Sequence, residues 1–144
     1  MPQRTLRIER PLDHVWQQLQ QLETWEGVGG MGQLRDASHR PDGSLEHFRY
    51  SLDTPLGTVD DRAEVRPDRT GAARSMHVQT ETKGLRVTID IDLDDAGPTA
   101  TNASLDIDAQ STNFLTGPLA ATLRHTLESG IDREGRRMVE RLEA

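Results

Sequence analysis

Apolar and polar residues alternate over the middle of the chain, and a helical spacing replaces this alternation on either side. Between residues 33 and 110 the alternating runs are separated by clusters of Gly and Pro, which is typical of half-buried strands joined by turns. A short alternating run at residues 5–10 predicts one more strand before the first helical segment. The six strands predicted for the middle, an antiparallel meander, lie near 33–38, 44–53, 58–66, 73–82, 85–94 and 99–110.

Two helices are predicted to flank the meander. Pro11 opens the first helix, and the glycine-rich stretch 27–32 ends it. Its apolar stripe consists of Leu12, Val15, Trp16, Leu19, Leu22 and Trp25. Pro118 opens the second helix, whose stripe runs from Leu119 to Leu142. About 26 residues make a helix of roughly 39 Å, so we expect it to lie across the whole sheet and cover the apolar face.

The last two strands of the meander carry the clearest alternation. Matching their apolar faces pairs Leu93 with Thr101 and closes the hairpin through residues 96–98. The same register places Arg86 opposite Asp108, which predicts a cross-strand ion pair.

The sequence RPLDHVW at residues 10–16 leads into the first helix, and TGPL at 116–119 leads into the last. With the element order, these motifs resemble the START-like (SRPBCC) superfamily, the helix-grip fold of polyketide cyclases, lipid-transfer domains and the birch-pollen allergen. The resemblance covers nearly the whole chain and implies one START-like domain over residues 1–144. The implied fold is α+β, with a curved antiparallel sheet of about seven strands around the long C-terminal helix. It also implies a ligand cavity between sheet and helix.

One end of the predicted sheet has the character of a cavity mouth. Alternate connections of a meander meet at the same end, so the loops at 27–32, 54–57, 83–84 and 111–117 should cluster there. Their apolar residues either rim a cavity or plug the end of the core. With the inward strand and helix positions, they give the candidate ligand-binding residues Trp25, Met31, Phe48, Tyr50, Leu52, Leu56, Val59, Asp61, Met76, Val78, Phe114, Leu115, Leu119 and Leu123. With two Trp, one Tyr and two Phe in the chain, we expect a small aliphatic cavity, or only an ordinary core.

Asp61 is the chemically distinctive residue of this set. Strict alternation turns it inward with Val59 and Ala63, where an unpaired carboxylate is costly and its pKa tends to rise. Asp61 and Tyr50 on the adjacent strand are then the candidate catalytic residues, as a general acid or base, or the anchor of a polar ligand head. The interpretation we favour is a bulge that turns Asp61 outward beside Asp60.

Composition excludes several classes of protein. There is no cysteine, so disulfides, thiolate catalysis and iron–sulfur clusters are ruled out. A net charge of −7 opposes binding to nucleic acid or anionic membranes. No apolar run approaches the roughly 18 residues of a membrane span, and no signal core is present. We therefore expect a cytoplasmic protein without a membrane span.

Motifs for metals and cofactors are weak. The five histidines are scattered without metal-ligand spacing, so no metal or cofactor is expected and the histidines should lie on the surface. The sequence GVGGMG at 27–32 fits the dinucleotide fingerprint, but a helix precedes it and a strand follows, the reverse of a nucleotide site. The aspartates of 85–109 are expected to form a solvated acidic face.

Three functions remain open. The preferred hypothesis is a carrier or sensor, monomeric or homodimeric, that binds one small apolar or amphipathic molecule. The second is an enzyme of the polyketide cyclase/dehydrase kind acting through Asp61 and Tyr50. The third, also implied by the resemblance, is a protein-interaction module of the chaperone-activator type, which requires an exposed apolar patch.

Overall fold

A seven-stranded antiparallel sheet with two α-helices and one 3₁₀ helix makes up the part of the chain that the structure describes. The computed structural model describes residues 3–28, 32–54, 57–67, 74–82, 84–111 and 117–144. The strands are β1 (Gln3–Ile8), β2 (Gly32–His39), β3 (Leu45–Thr54), β4 (Gly57–Pro67), β5 (Arg74–Thr82), β6 (Leu85–Asp95) and β7 (Thr101–Ser111). The helices are α1 (Leu12–Leu19), the 3₁₀ helix (Leu22–Trp25) and α2 (Gly117–Glu143). The predicted order of strands and helices is confirmed.

Neighbouring strands of the sheet follow one another along the chain, except that β1 lies beside β7. The order across the sheet is β1-β7-β6-β5-β4-β3-β2, and every pair is antiparallel. We call the inner face the side that carries Tyr50, Ala63, Val78, Ile89 and Ile107, all of them buried. The opposite side, the outer face, carries most of the charged residues of these strands. This segregation explains how a chain with 33% hydrophobic residues assembles a continuous core.

The first helical segment is shorter than predicted, because α1 stops at Leu19 and the 3₁₀ helix follows. Side chains bind the carbonyl groups at this helix end, where no further helical N–H is available. Gln20 donates from Nε2 to the carbonyl of Trp16 at 2.9 Å, and its Oε1 accepts the backbone N–H of Leu45 at 2.8 Å. The indole Nε1 of Trp25 donates to the carbonyl of Leu19 at 2.8 Å. Trp25 is therefore a fully buried structural residue.

The hairpin of β6 and β7 has the predicted faces but not the predicted register. Leu93 pairs with Ala103 rather than Thr101, a slip of two residues. The connecting loop is longer than expected, since the backbone N–H of Ala96 donates to the carbonyl of Ala100 at 3.0 Å. A slip of two keeps every side chain on its own face, so the hydrophobic pattern alone cannot distinguish the two registers.

The predicted ion pair across this hairpin is consequently wrong. Arg86 stands opposite Gln110 and instead pairs with Glu81, at 3.2 Å. Asp108 binds Arg124 of α2 at 3.2 Å.

Helix α2 makes its described contacts chiefly with β7 and β1, and with α1 and the 3₁₀ helix toward its C-terminus. Met138 and Leu142 are buried in the core there. Gly135 allows the close approach, because a Cβ at this position would lie 3.4 Å from both terminal methyl carbons of Leu6. At Gly130, the nearest described group to such a Cβ is the side chain of Arg133 at 3.8 Å, and no described strand residue lies within 4 Å.

The two helical glycines give opposite predictions. Replacing Gly130 with Ala should raise the free energy of unfolding by about 1 kcal/mol, because alanine is the better helix former and the only described group it meets is a flexible side chain. Gly135→Val should lower the free energy by roughly 1–3 kcal/mol, because the branched side chain must displace Leu6. Thermal unfolding followed by circular dichroism measures both, and equal changes of Tm in the two variants would contradict this packing.

Candidate functional site

Tyr50 and Asp61 stand directly opposite each other on β3 and β4. The ladder between these strands runs without interruption from His47 opposite Glu64 to Thr54 opposite Gly57. The favoured bulge is therefore wrong, and Asp61 shares the inner face with Tyr50. Side chains directly opposite in an antiparallel pair have Cβ atoms about 4.5–5.5 Å apart. The sheet thus holds a phenol and a carboxylate side by side.

The hydroxyl of Tyr50 is buried without a hydrogen-bond partner among the described residues. The residue is 1% exposed, and no described group makes a hydrogen bond of ordinary geometry with Oη. Burial raises the pKa of the Tyr50 phenol, and the Asp61 carboxylate raises it further. The Thr80 side chain lowers it as a hydrogen-bonding neighbour of Oη, although its contact lies outside ordinary hydrogen-bond geometry. The phenol is therefore neutral at physiological pH and has both a proton to donate and lone pairs to offer.

Asp61 is half-buried and only partly satisfied. Its Oδ1 accepts the backbone N–H of Arg62 at 2.8 Å. The side chain of Arg62 lies on the outer face, where it pairs with Glu64 at 2.6 Å. Within the described ranges, Asp61 has no ion pair of its own.

Apolar side chains surround this polar pair. Phe48 and Val59, the in-phase neighbours along the two strands, are buried, and Leu52 is half-buried opposite Val59. Thr80, which is not among the predicted site residues, is a buried polar residue on the adjacent β5. The alternation that turns Met76 and Val78 inward also turns Thr80 inward, so the signal was present in the sequence.

The other candidate residues divide into two groups. Met76 and Val78 are buried on the inner face, farther from the predicted mouth. Six candidates cannot be placed against the Tyr50–Asp61 pair. Met31, Leu56, Phe114 and Leu115 lie outside the described residues, and Leu119 and Leu123 lie in α2 with side chains outside the described part.

The space beneath the C-terminal half of α2 is almost filled. A void of about 10 Å³ lies there among apolar side chains that include Leu6, Leu93 and Met138. A void of this size is at the lower limit for a single water molecule, so no ligand fits at this end of the inner face.

A larger groove, of about 530 Å³, lies between α1, the loop before β3 and the start of β5. Its polar groups are largely engaged with one another. Ser44 donates its hydroxyl to Asp42 at 2.6 Å, and Arg74 stacks over the ring of Trp16 at 5.4 Å from the centroid. At the base of the groove, the amide nitrogen and the amide oxygen of Gln20 both form hydrogen bonds with backbone groups. None of the described buried polar atoms without a partner belongs to this groove, so it is the weaker candidate for a binding site.

The acidic outer face of β6 and β7 is less solvated than expected. Asp108 is 6% exposed and bound by Arg124, and His77 is largely buried with Nδ1 at 2.5 Å from Asp90. The Oδ1 atom of Asp106 is buried without a partner among the described residues. Burial raises the pKa of the Asp106 carboxyl, and the carboxylates of Asp90 and Asp108 raise it further. Within the described residues, no three acidic or histidine side chains are arranged to hold a metal ion.

Comparison with solved structures identifies the fold. A START superfamily protein from Mycobacterium smegmatis matches with a TM-score of 0.68 and 12% identity, over 97% of both chains. Human STARD10 matches with a TM-score of 0.67 and 11% identity, over 97% of this chain and 62% of that one. The Zhui aromatase/cyclase from Streptomyces sp. R1128 matches with a TM-score of 0.62 and 15% identity, over 98% and 89%. No protein-family profile and no curated protein matches the sequence.

The chain therefore has the START-like (SRPBCC) fold, as the resemblance implied. It is an α+β fold with a seven-stranded antiparallel sheet, and START proteins and polyketide aromatase/cyclases share it. None of the described helices is long and apolar enough to cross a membrane.

The raised pKa of Asp106 predicts how stability depends on pH. An Asp carboxyl in the unfolded chain has a pKa of about 3.9. Because the folded value is higher, the native state binds more protons between the two values, and the free energy of unfolding falls as pH rises through that window. Asp106→Asn should remove this decrease and give a higher Tm than the wild type at pH 7, with the difference disappearing near pH 3.

The matched control is Asp94→Asn, which neutralises an exposed carboxylate on the same outer face of β6. Thermal unfolding of the three proteins between pH 3 and pH 8 tests the prediction. An equal gain at pH 7 in both variants would show that net charge, not the burial of Asp106, sets the effect.

Proposed function

We propose that this protein binds one small apolar or amphipathic molecule between the inner face of the sheet and α2, with the polar group of the molecule at Tyr50 and Asp61. The observation that carries the proposal is the hydroxyl of Tyr50, buried without a partner among the described residues. Leaving such a group unsatisfied costs roughly 1–3 kcal/mol. A ligand group that hydrogen-bonds to it recovers that free energy on binding.

The surroundings of the pair support an apolar ligand body. Phe48, Leu52 and Val59 present only hydrocarbon toward the same space. A concave, mostly apolar site with a few polar groups is the usual form of a small-molecule site. The solved structures with this fold include START superfamily proteins and an aromatase/cyclase. Binding for transport or sensing needs no reacting group, so it is the function that these side chains support most directly.

The test is a bulky substitution inside the site, paired with the same substitution just outside it. Leu52 faces inward beside Val59, and Asp53, the next residue, is exposed on the outer face. Leu52→Trp should weaken binding of dodecan-1-ol at least tenfold by occupying the space of the ligand body, and Asp53→Trp should change it less than twofold. Displacement of the uncharged fluorophore N-phenyl-1-naphthylamine gives the affinity.

Native mass spectrometry of the wild type with dodecan-1-ol should show a single bound molecule. The two variants should have Tm values close to the wild type, because neither position is fully buried. Absence of saturable binding in the wild type, or an equal loss in the two variants, would contradict the proposed site.

An enzyme of the polyketide cyclase/dehydrase kind is the second candidate. It is favoured by the juxtaposition of a carboxylate and a neutral phenol, which can accept and donate a proton on the same side of a substrate. Two further structural neighbours are di-domain ARO/CYC proteins, BexL and StfQ, with TM-scores of 0.62 and 0.57.

Replacing Asp61 with Asn tests this second candidate. Loss of a general base should reduce kcat by roughly 10²–10⁴-fold on a linear poly-β-ketone thioester, while Tm stays unchanged or rises. Turnover is followed by mass spectrometry of the cyclised product. A large loss of Tm would instead assign Asp61 a structural role.

A further inference from the structure

Among the described strand residues, the inner face carries a carboxylate with no cation beside it. On β3 and β4, the residues in phase with Tyr50 and Asp61 include no Arg or Lys. On β5 the in-phase arginine, Arg74, lies at the far end of the strand over Trp16, roughly 25 Å along the strand direction from Asp61. Among the described strand residues, Asp61 therefore has no basic neighbour on its own face.

The arginines nearest in sequence and across the ladder are engaged on the outer face. Arg35 and Arg49 both bind Asp60, the latter at 3.1 Å. Arg62 binds Glu64. The alternation of the strands turns these guanidinium groups away from the inner face, so none of them can neutralise Asp61 without a reversal of the strand. On α2, Arg124 is held by Asp108 and by the carbonyl of Ala109 at 2.6 Å.

The charge of Asp61 makes a hydrogen-bond donor the better partner for this pair than an acceptor, since Tyr50 can accept as well as donate. As a carboxylate, Asp61 only accepts hydrogen bonds. The oxygen of Tyr50 makes no hydrogen bond of ordinary geometry with a described donor, although the Thr80 side chain lies near it. A protonated amine supplies three N–H donors and one positive charge. Such a group can satisfy both residues at once, and its hydrogen bond to a carboxylate is of the stronger, charge-assisted kind. A carboxylate head would instead meet the like charge of Asp61.

We propose that the ligand of the Tyr50–Asp61 pair is an apolar molecule that ends in a protonated amine, and that the site discriminates against fatty-acid-like carboxylates. This inference rests on the proposed function and adds the chemical class of the ligand. Asp61 determines the preference through its charge, and Tyr50 orients the ammonium group by accepting one of its hydrogen bonds. An alcohol of the same length binds through the same apolar contacts without the charge.

Three ligands with the same hydrocarbon chain separate the head group from the body. We expect dodecan-1-amine, protonated at pH 7, to bind the wild type several-fold more tightly than dodecan-1-ol and at least tenfold more tightly than dodecanoate. Affinities come from displacement of N-phenyl-1-naphthylamine, with every ligand kept below its critical micelle concentration. Circular dichroism checks that the protein stays folded at each concentration.

Three variants assign the preference to the site. Asp61→Asn should weaken the amine at least fivefold, leave the alcohol within twofold and remove the discrimination against dodecanoate. Glu64→Gln makes the same change of net charge on the exposed outer face of β4, so it controls for the attraction of an amine to a chain of charge −7. It should keep the wild-type order. Tyr50→Phe should weaken the amine and the alcohol by a few-fold each.

The outcomes distinguish this inference from the proposed function. Dodecanoate binding as tightly as the amine in the wild type would overturn the head-group inference while leaving the proposed function standing. An equal loss of amine affinity in Asp61→Asn and Glu64→Gln would overturn it as well. Failure of all three ligands to bind would overturn the proposed function itself. Should Asp61→Asn fail to fold, the wild-type order of the three ligands and its persistence in Glu64→Gln decide the question.

Discussion

The continuous antiparallel register across β3 to β7 is the constraint on which the rest of the structure depends. The ladder between β3 and β4 and the ladder between β5 and β6 contain no bulge, so side chains in phase stay in phase across the sheet. A slip of one residue would turn the whole apolar set outward. The same rule that buries Val78 and Ile89 also fixes Tyr50 and Asp61 on the inner face, because a strand cannot reverse one side chain alone.

Most buried polar groups in the described chain have a partner, and the exceptions are informative. Thr101 donates its hydroxyl to the carbonyl of Arg10 at 2.8 Å, and Gln20 is bound through both atoms of its amide. The described buried atoms without a partner are His14 Nε2, His47 Nδ1, Tyr50 Oη and Asp106 Oδ1. Among these, only Tyr50 lies on the inner face. This buried hydroxyl without a described partner is the feature of the inner face that supports the proposed binding site.

Packing differs between the two ends of the inner face. Under the C-terminal half of α2, Gly135 meets Leu6 at contact distance and only about 10 Å³ stays empty. The contacts at that end hold α2 against β1 and β7. The unsatisfied phenol and the half-buried carboxylate lie toward the other end, beside Leu52 and Val59. Stability and the proposed binding thus draw on different parts of one continuous apolar face.

The sequence by itself determined the order of strands and helices, the antiparallel meander and the faces of the strands, because these follow from the spacing of apolar residues within a single segment. It also placed Asp61 and Tyr50 on adjacent strands. Tertiary structure decided what depends on groups far apart in the chain. The register between β6 and β7 differs by two residues from the predicted one. Both registers bury the same face, and only the five-residue turn from Ala96 to Ala100 selects between them. The end of helix α1 at Leu19 is followed by a long-range contact, in which the side-chain oxygen of Gln20 accepts the backbone N–H of Leu45. The orientation of Asp61 was decided by the ladder with β3, a partner that the local pattern does not contain.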